Sequence, residues 1–94
     1  MSGKDCPNAV FTPLVGLGGI IRVYSPGLDC GPYDWCVTAD FVEKRVVELK
    51  AIREAPTTEQ WRAVITEMKK QEVDRLIWRH LRKGTMCTSV RSLR

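Results

Sequence analysis

The spacing of apolar residues divides the chain into an irregular first third and a helical remainder. Residues 1–37 hold four of the five prolines and six of the seven glycines, which disfavours long helices there. Within this segment, residues 10–12 and 20–24 are rich in β-branched and aromatic side chains, so short strands or extended segments are predicted. The sequence Ser25-Pro26-Gly27 predicts a turn, and residues 29–36 predict a compact loop.

After residue 37, apolar residues recur at steps of three and four, which is typical of a helix with one apolar face. The members of this set are Phe41, Val42, Val46, Leu49 and Ile52. They predict a first helix over about residues 40–54, and Asp40 with Glu43 has the spacing of a capping box. Pro56 ends this helix, because the residue before a proline is pushed out of the helical region.

A second helix is predicted from residue 58 to Lys83, with Thr57 and Gln60 as its capping box and Gly84 just beyond its end. Its first apolar face consists of Trp61, Val64, Ile65 and Met68. Its second face, rotated by roughly 100°, consists of Val73, Leu76, Ile77 and Leu81. The polar residues 69–72 lie between the faces, so the helix bends or breaks there, or its halves pack against different structures.

These elements predict a mainly α fold in one domain of 94 residues. Residues 38–84 would form a helical hairpin, because the connection between the two helices is short. Residues 1–37 would form an irregular or short-strand segment packed on that hairpin, and residues 85–94 a basic tail.

Charge is distributed unevenly along the chain. Residues 69–94 carry eight basic and two acidic residues, a local charge of +6, whereas residues 1–68 carry seven basic and nine acidic residues, −2. On the predicted second helix the basic residues form a stripe with an aromatic neighbour, which could bind phosphates and stack on a base. The predicted nucleic-acid-binding residues are Lys69, Lys70, Arg75, Trp78, Arg79, Arg82 and Lys83. The alternative is a solvated charged face at a helix end that attracts cations for its own dipole.

Three cysteines and the single histidine offer a chemically sound tetrahedral zinc site, since thiolates and imidazole suit zinc. The predicted ligands are Cys30, Cys36, His80 and Cys87, with Cys6 able to replace one of them. In the predicted hairpin, Cys36 reaches about the same level as His80, so a structural zinc would staple the first third to the helices. Disulfides and unpaired thiols are the alternatives.

The sequence contains none of the common catalytic or nucleotide-binding motifs, so an enzyme is disfavoured. It also lacks an apolar run long enough to span a membrane and a secretory leader, which predicts an intracellular protein. The predicted function is a small non-enzymatic nucleic-acid-binding or regulatory accessory protein. The alternative is a protein-interaction or self-assembly module, such as a viral accessory or structural protein. In that case the second apolar face of the predicted second helix would pack on a second copy of the chain or on another partner.

Overall fold

Strands, rather than helices, form most of this protein. The computed structural model describes residues 6–14, 18–50, 52 and 54–93, with the backbone alone at residues 81 and 82. The strands are β1 (Asn8–Pro13), β2 (Gly18–Tyr24), β3 (Trp35–Glu43), β4 (Val46–Lys50), β5 (Arg75–Arg82) and β6 (Thr85–Ser92). One helix, α1 (Thr58–Lys70), lies between β4 and β5. The prediction of a mainly α fold is therefore wrong.

The six strands form one sheet in the order in which they occur along the chain. Neighbouring strands are antiparallel except β4 and β5, which are parallel. A parallel pair needs a connection that returns to the starting end of the sheet. The helix α1 supplies that connection, and it packs on β1 and β2.

The core lies between α1 and one face of the sheet, which we call the inner face. In β3, the side chains of Trp35, Val37 and Ala39 are buried on this face, while Cys36 and Thr38 alternate with them on the outer face. Each large side chain buried there stabilises the fold by about 1.5–3 kcal/mol. The buried cluster comprises Ala9, Ile21, Val23, Trp35, Val37, Ala39, Val47, Leu49, Val64, Ile65, Met68, Val73, Leu76 and Leu93.

The start of α1 is as predicted, and its end is not. The Gln60 backbone N–H donates to Thr57 Oγ1 at 3.1 Å and the Thr57 N–H donates to Gln60 Oε1 at 2.9 Å, which confirms the capping box. The helix ends at Lys70 instead of Lys83, and Glu72 adopts a left-handed conformation with φ 61°. The helix thus ends at the polar residues 69–72. The residues after them form β5, because a strand between β4 and β6 buries more of their apolar surface than an exposed helix would.

The predicted first helix is also wrong, since residues 40–54 contribute the end of β3 and all of β4. Apolar residues in this segment satisfy a period of two as well as the helical period. Val47 and Leu49 lie on the inner face, paired with Phe41 and Ala39 of β3. The sheet selects the strand because β3 and β5 satisfy the backbone of β4 on both sides and bury its inner side chains together.

The two ends of the chain differ in how well they were predicted. The strands predicted at residues 10–12 and 20–24 are confirmed within β1 and β2. The turn is confirmed too, because the Leu28 N–H donates to the Ser25 carbonyl at 3.0 Å. The predicted tail is instead β6, which is paired with β5 along its whole length.

Candidate nucleic-acid interface

The β5–β6 hairpin extends beyond the end of β4. Among the described residues, β4 pairs with β5 as far as Leu49 and Trp78, whereas β5 and β6 remain paired out to Arg82 and Thr85. Four further residues on each strand, at about 3.3 Å per residue, carry the hairpin roughly 13 Å past the last β4 pair. Beyond Trp78, the neighbouring strand of β5 in the described part of the chain is β6, and the segment that follows β4 lies beside the hairpin across a groove.

A two-residue turn closes this hairpin. Lys83 and Gly84 both have positive φ, 52° and 79°, as the favoured two-residue hairpin turn requires. The glycine that was predicted to follow a helix end therefore serves a hairpin. The segments that flank Lys-Gly contain residue types that favour strands, Ile77 and Trp78 before the turn and Thr85, Thr88 and Val90 after it.

The hairpin and the last residues of the chain are strongly basic. Residues 75–94 contain six basic residues and no acidic residue. Arg79 is 62% exposed and lies 3.7 Å, Nε to Oε2, from Glu48, which is a loose surface ion pair. Most of the positive charge of Arg79 therefore remains accessible to an anion.

The predicted basic stripe does not exist as a helical face, because its residues lie on a strand. Arg75 and Arg79 are on the outer face, whereas Trp78 is on the inner face, where its ring lies against Trp61. Lys69 and Lys70 are in the last turn of α1, at the opposite end of β5 from the turn. The hairpin does bring Arg79, Arg82 and Lys83 to one end of the sheet, and the side chain of Arg82 lies outside the described residues.

The predicted second apolar face is likewise divided between the two faces of the sheet. Val73 and Leu76 are buried in the core, and Ile77 lies on the outer face beside Glu48 and Val90. The side chain of Leu81 lies outside the described residues. This set therefore does not form a surface for a partner.

The zinc set is not assembled either. Cys36 lies on the outer face of β3, while His80 and Cys87 are register partners on the inner face of β5 and β6. Cys30 is in an exposed loop. Within the described ranges there is no group of three or more His, Cys, Asp or Glu residues arranged to hold a metal ion. All four cysteines are unpaired thiols, so the disulfide alternative is not observed.

A groove of about 720 Å³ lies beside the hairpin, past the end of β4. Trp78, His80 and Ser89 line it from the inner face of the sheet, and Arg79 and Met86, which belong to the outer face, also line it. Trp61 of α1 and Trp78 of β5 meet there edge to face, with ring centroids 4.8 Å apart. His80 Nε2 lies 2.9 Å from Ser89 Oγ, which forms a hydrogen bond between the two strands. The lining residues are Ile52, Glu54, Ala55, Pro56, Trp61, Trp78, Arg79, His80, Met86 and Ser89.

Sequence reasoning placed Trp61 among core residues and assigned no role to Met86 or Ser89. Trp61 lies at the edge of the core and is half-buried. The groove exists because β6 lies beside β5, and no local pattern reports that pairing. The combination of Trp78 with Arg79, in contrast, was found from the sequence and lies in the groove.

Comparison with protein-family models, curated proteins and solved structures finds no match for this chain. Within the described part of the chain, α1 is too short and too polar to cross a lipid bilayer.

Proposed function

We propose that this protein binds nucleic acid through the end of its β5–β6 hairpin. The observation that carries the proposal is that the β5–β6 hairpin, which extends past the end of β4, and the C-terminal segment that follows it contain no acidic side chain. Its phosphate-binding residues are Arg79, Arg82 and Lys83. No carboxylate within the hairpin repels a phosphate, and Glu48 of β4 is an acidic neighbour of Arg79.

The location of the acidic residues supports this assignment. Glu72 and Asp74 precede β5, and Asp74 forms an ion pair with Arg45 at 3.2 Å. Both acids therefore lie at the end of β5 remote from the turn. Arg79, Arg82 and Lys83 lie towards the opposite end, near the turn of the hairpin.

The test is the salt dependence of binding to a fluorescent oligonucleotide, measured by anisotropy. The variant Arg79→Gln/Arg82→Gln/Lys83→Gln removes three charges from the hairpin. Each phosphate contact on a single strand contributes about −0.7 to the slope of log K against log salt, so three lost contacts reduce its magnitude by about 2. Affinity at low salt should fall at least tenfold.

The matched control removes three exposed charges from α1, as Arg62→Gln/Lys69→Gln/Lys70→Gln. It has the same net charge as the hairpin variant and should retain most of the affinity and the slope. Equal losses in both variants would mean that only net charge matters. Salt-independent binding, or none by the unchanged protein, would overturn the proposal.

The open edge of β6 favours a second function, self-association. The opposite edge of the sheet is protected, because the Phe11 N–H donates to the Glu67 carboxylate at 3.1 Å and Pro13 has no N–H. In the part of the chain that the structure describes, β6 has one sheet neighbour, β5. An unprotected edge strand can pair with the same strand of a second copy.

A self-complementary register is available for that pairing. With Thr88 opposite Thr88 of a second copy, each exposed Met86 lies across from Val90 on the same face. Because each strand carries Arg91 and no acid, added salt should strengthen this dimer, whereas salt weakens nucleic-acid binding. Sedimentation tests this dimer: Val90→Lys should weaken it, whereas Val42→Lys, a change at another exposed valine, should not. If the unchanged protein is a monomer at high concentration and high salt, the proposed self-association is refuted.

A further inference from the structure

The groove beside the hairpin follows from where α1 sits. The helix packs on β1 and β2, so it leaves the inner side of β5 and β6 uncovered beyond Trp61. Trp78 and His80 of β5 lie across from Ser89 and Cys87 of β6 on this side. The connection between β4 and α1, including Ala55, lines the other wall.

The two tryptophans give the groove faces for stacking. Their planes meet at 66° with centroids 4.8 Å apart. In this edge-to-face arrangement one ring covers one face of the other, so the remaining three ring faces are not covered by the pair itself. Both residues are half-buried, whereas the neighbouring core residues Val64 and Leu76 are fully buried. Part of each indole is therefore accessible to a planar ligand.

The polar groups around the tryptophans suit a phosphate-bearing ligand with a polar-edged ring, with Arg79 as the basic residue and Glu54 as the acidic residue of the lining. Arg79, which is largely exposed, lines the groove and also begins the acid-free hairpin. His80 and Ser89 form a hydrogen-bonding pair that can donate to and accept from the edge of a base. An apolar side chain from a peptide would use the indoles and leave these groups unmatched.

We infer that the groove takes an unpaired nucleobase, so that the protein prefers single-stranded to double-stranded nucleic acid. The inference rests on the proposed function and specifies its ligand. Trp61 and Trp78 stack on the base while Arg79 holds its phosphate, the combination used by proteins that track single strands. Bases in a duplex are already paired and stacked, so they reach the groove only after an unfavourable unstacking.

The first experiment uses tryptophan fluorescence in the variant Trp35→Phe, in which only the two groove tryptophans emit. An eight-residue oligothymidylate should quench this emission saturably, and a blunt duplex of similar charge should quench it much less. The fold of the variant is checked by its thermal transition, because Trp35 Nε1 donates to the Glu54 carbonyl. The unchanged protein should show the same affinity by anisotropy.

The second experiment changes the groove without changing the hairpin. Trp61→Leu/Trp78→Leu removes both aromatic faces and should weaken oligothymidylate binding about tenfold while leaving duplex binding unaltered, since base–aromatic stacking contributes strongly to affinity. Its fold is checked by its thermal transition. Ala55 is exposed on the groove wall, so Ala55→Glu should fold normally. The carboxylate of Ala55→Glu should repel the bound phosphate. The neutral control Ala55→Gln should therefore bind oligothymidylate several-fold more tightly than Ala55→Glu does.

The outcomes separate this inference from the function on which it rests. Equal binding of single strand and duplex, with unquenched tryptophans and full sensitivity to the hairpin variant, would overturn the groove inference and leave the hairpin function standing. No binding to either nucleic acid would overturn both. Quenching by an apolar peptide but not by the oligonucleotide would make the groove a protein-binding site and would also overturn the inference.

Discussion

Truncation of two adjacent residues distinguishes the sheet from the predicted helix at β5. Leu76 has no exposed surface, whereas Ile77 is half-exposed on the outer face. Leu76→Ala should therefore cost about 2–5 kcal/mol, the range for a buried leucine whose cavity does not collapse. Ile77→Ala removes side-chain surface that remains partly hydrated, and should cost roughly 1 kcal/mol.

Thermal unfolding measures the difference directly. For a domain of 60–100 residues, 1 kcal/mol corresponds to a change in Tm of about 4–8 °C. Leu76→Ala should thus lower Tm by at least about 8 °C, and Ile77→Ala by less than about 8 °C. In the predicted helix both residues lie on one apolar face, so equal losses would refute the strand assignment. A small loss for Leu76→Ala would refute its place in the core.

Three further predictions concern an edge, a turn and an ion pair. Glu67→Leu leaves the Phe11 N–H without its acceptor and should destabilise the protein by about 1–3 kcal/mol in denaturant unfolding, whereas Glu67→Gln keeps an oxygen there and should cost less. A Cβ at Gly84 would meet no atom within 4 Å, so Gly84→Ala should destabilise the protein only through the positive φ, by about 1–2 kcal/mol. An unchanged midpoint of denaturant unfolding would contradict this prediction. The hydrogen bond from Lys50 to the Asp40 carboxylate, at 3.0 Å, raises the pKa of Lys50 above 10.5. The stabilisation from this pair is present below pH 10.5 and is lost as the pH rises through the raised pKa of Lys50. Asp40→Asn should lower the pKa of Lys50, and an NMR titration that shows no such fall would contradict the pairing.

The hairpin and its groove show why the candidate site was only partly predictable. Trp78, Arg79 and Lys83 were selected from charge and residue type, which do not depend on the secondary structure they adopt. Their relative positions were wrong, because a stripe at helical spacing becomes two opposite faces on a strand. Trp61 belongs to the site because it contacts Trp78 of β5, the strand that follows α1. The local periodicity of the sequence does not indicate a contact of this kind.

The sequence by itself determined the features that depend on neighbouring residues. The capping box at Thr57, the turn at residues 25–27 and the strands of residues 10–12 and 20–24 follow from local hydrogen bonding and backbone preference. The tertiary structure decided between helix and strand at residues 40–54 and 73–83. In both segments the apolar residues suit either period, and the choice depends on distant strands that satisfy the backbone and complete the core. That choice also created the hairpin end and the groove, because both exist only where β5 and β6 extend past β4.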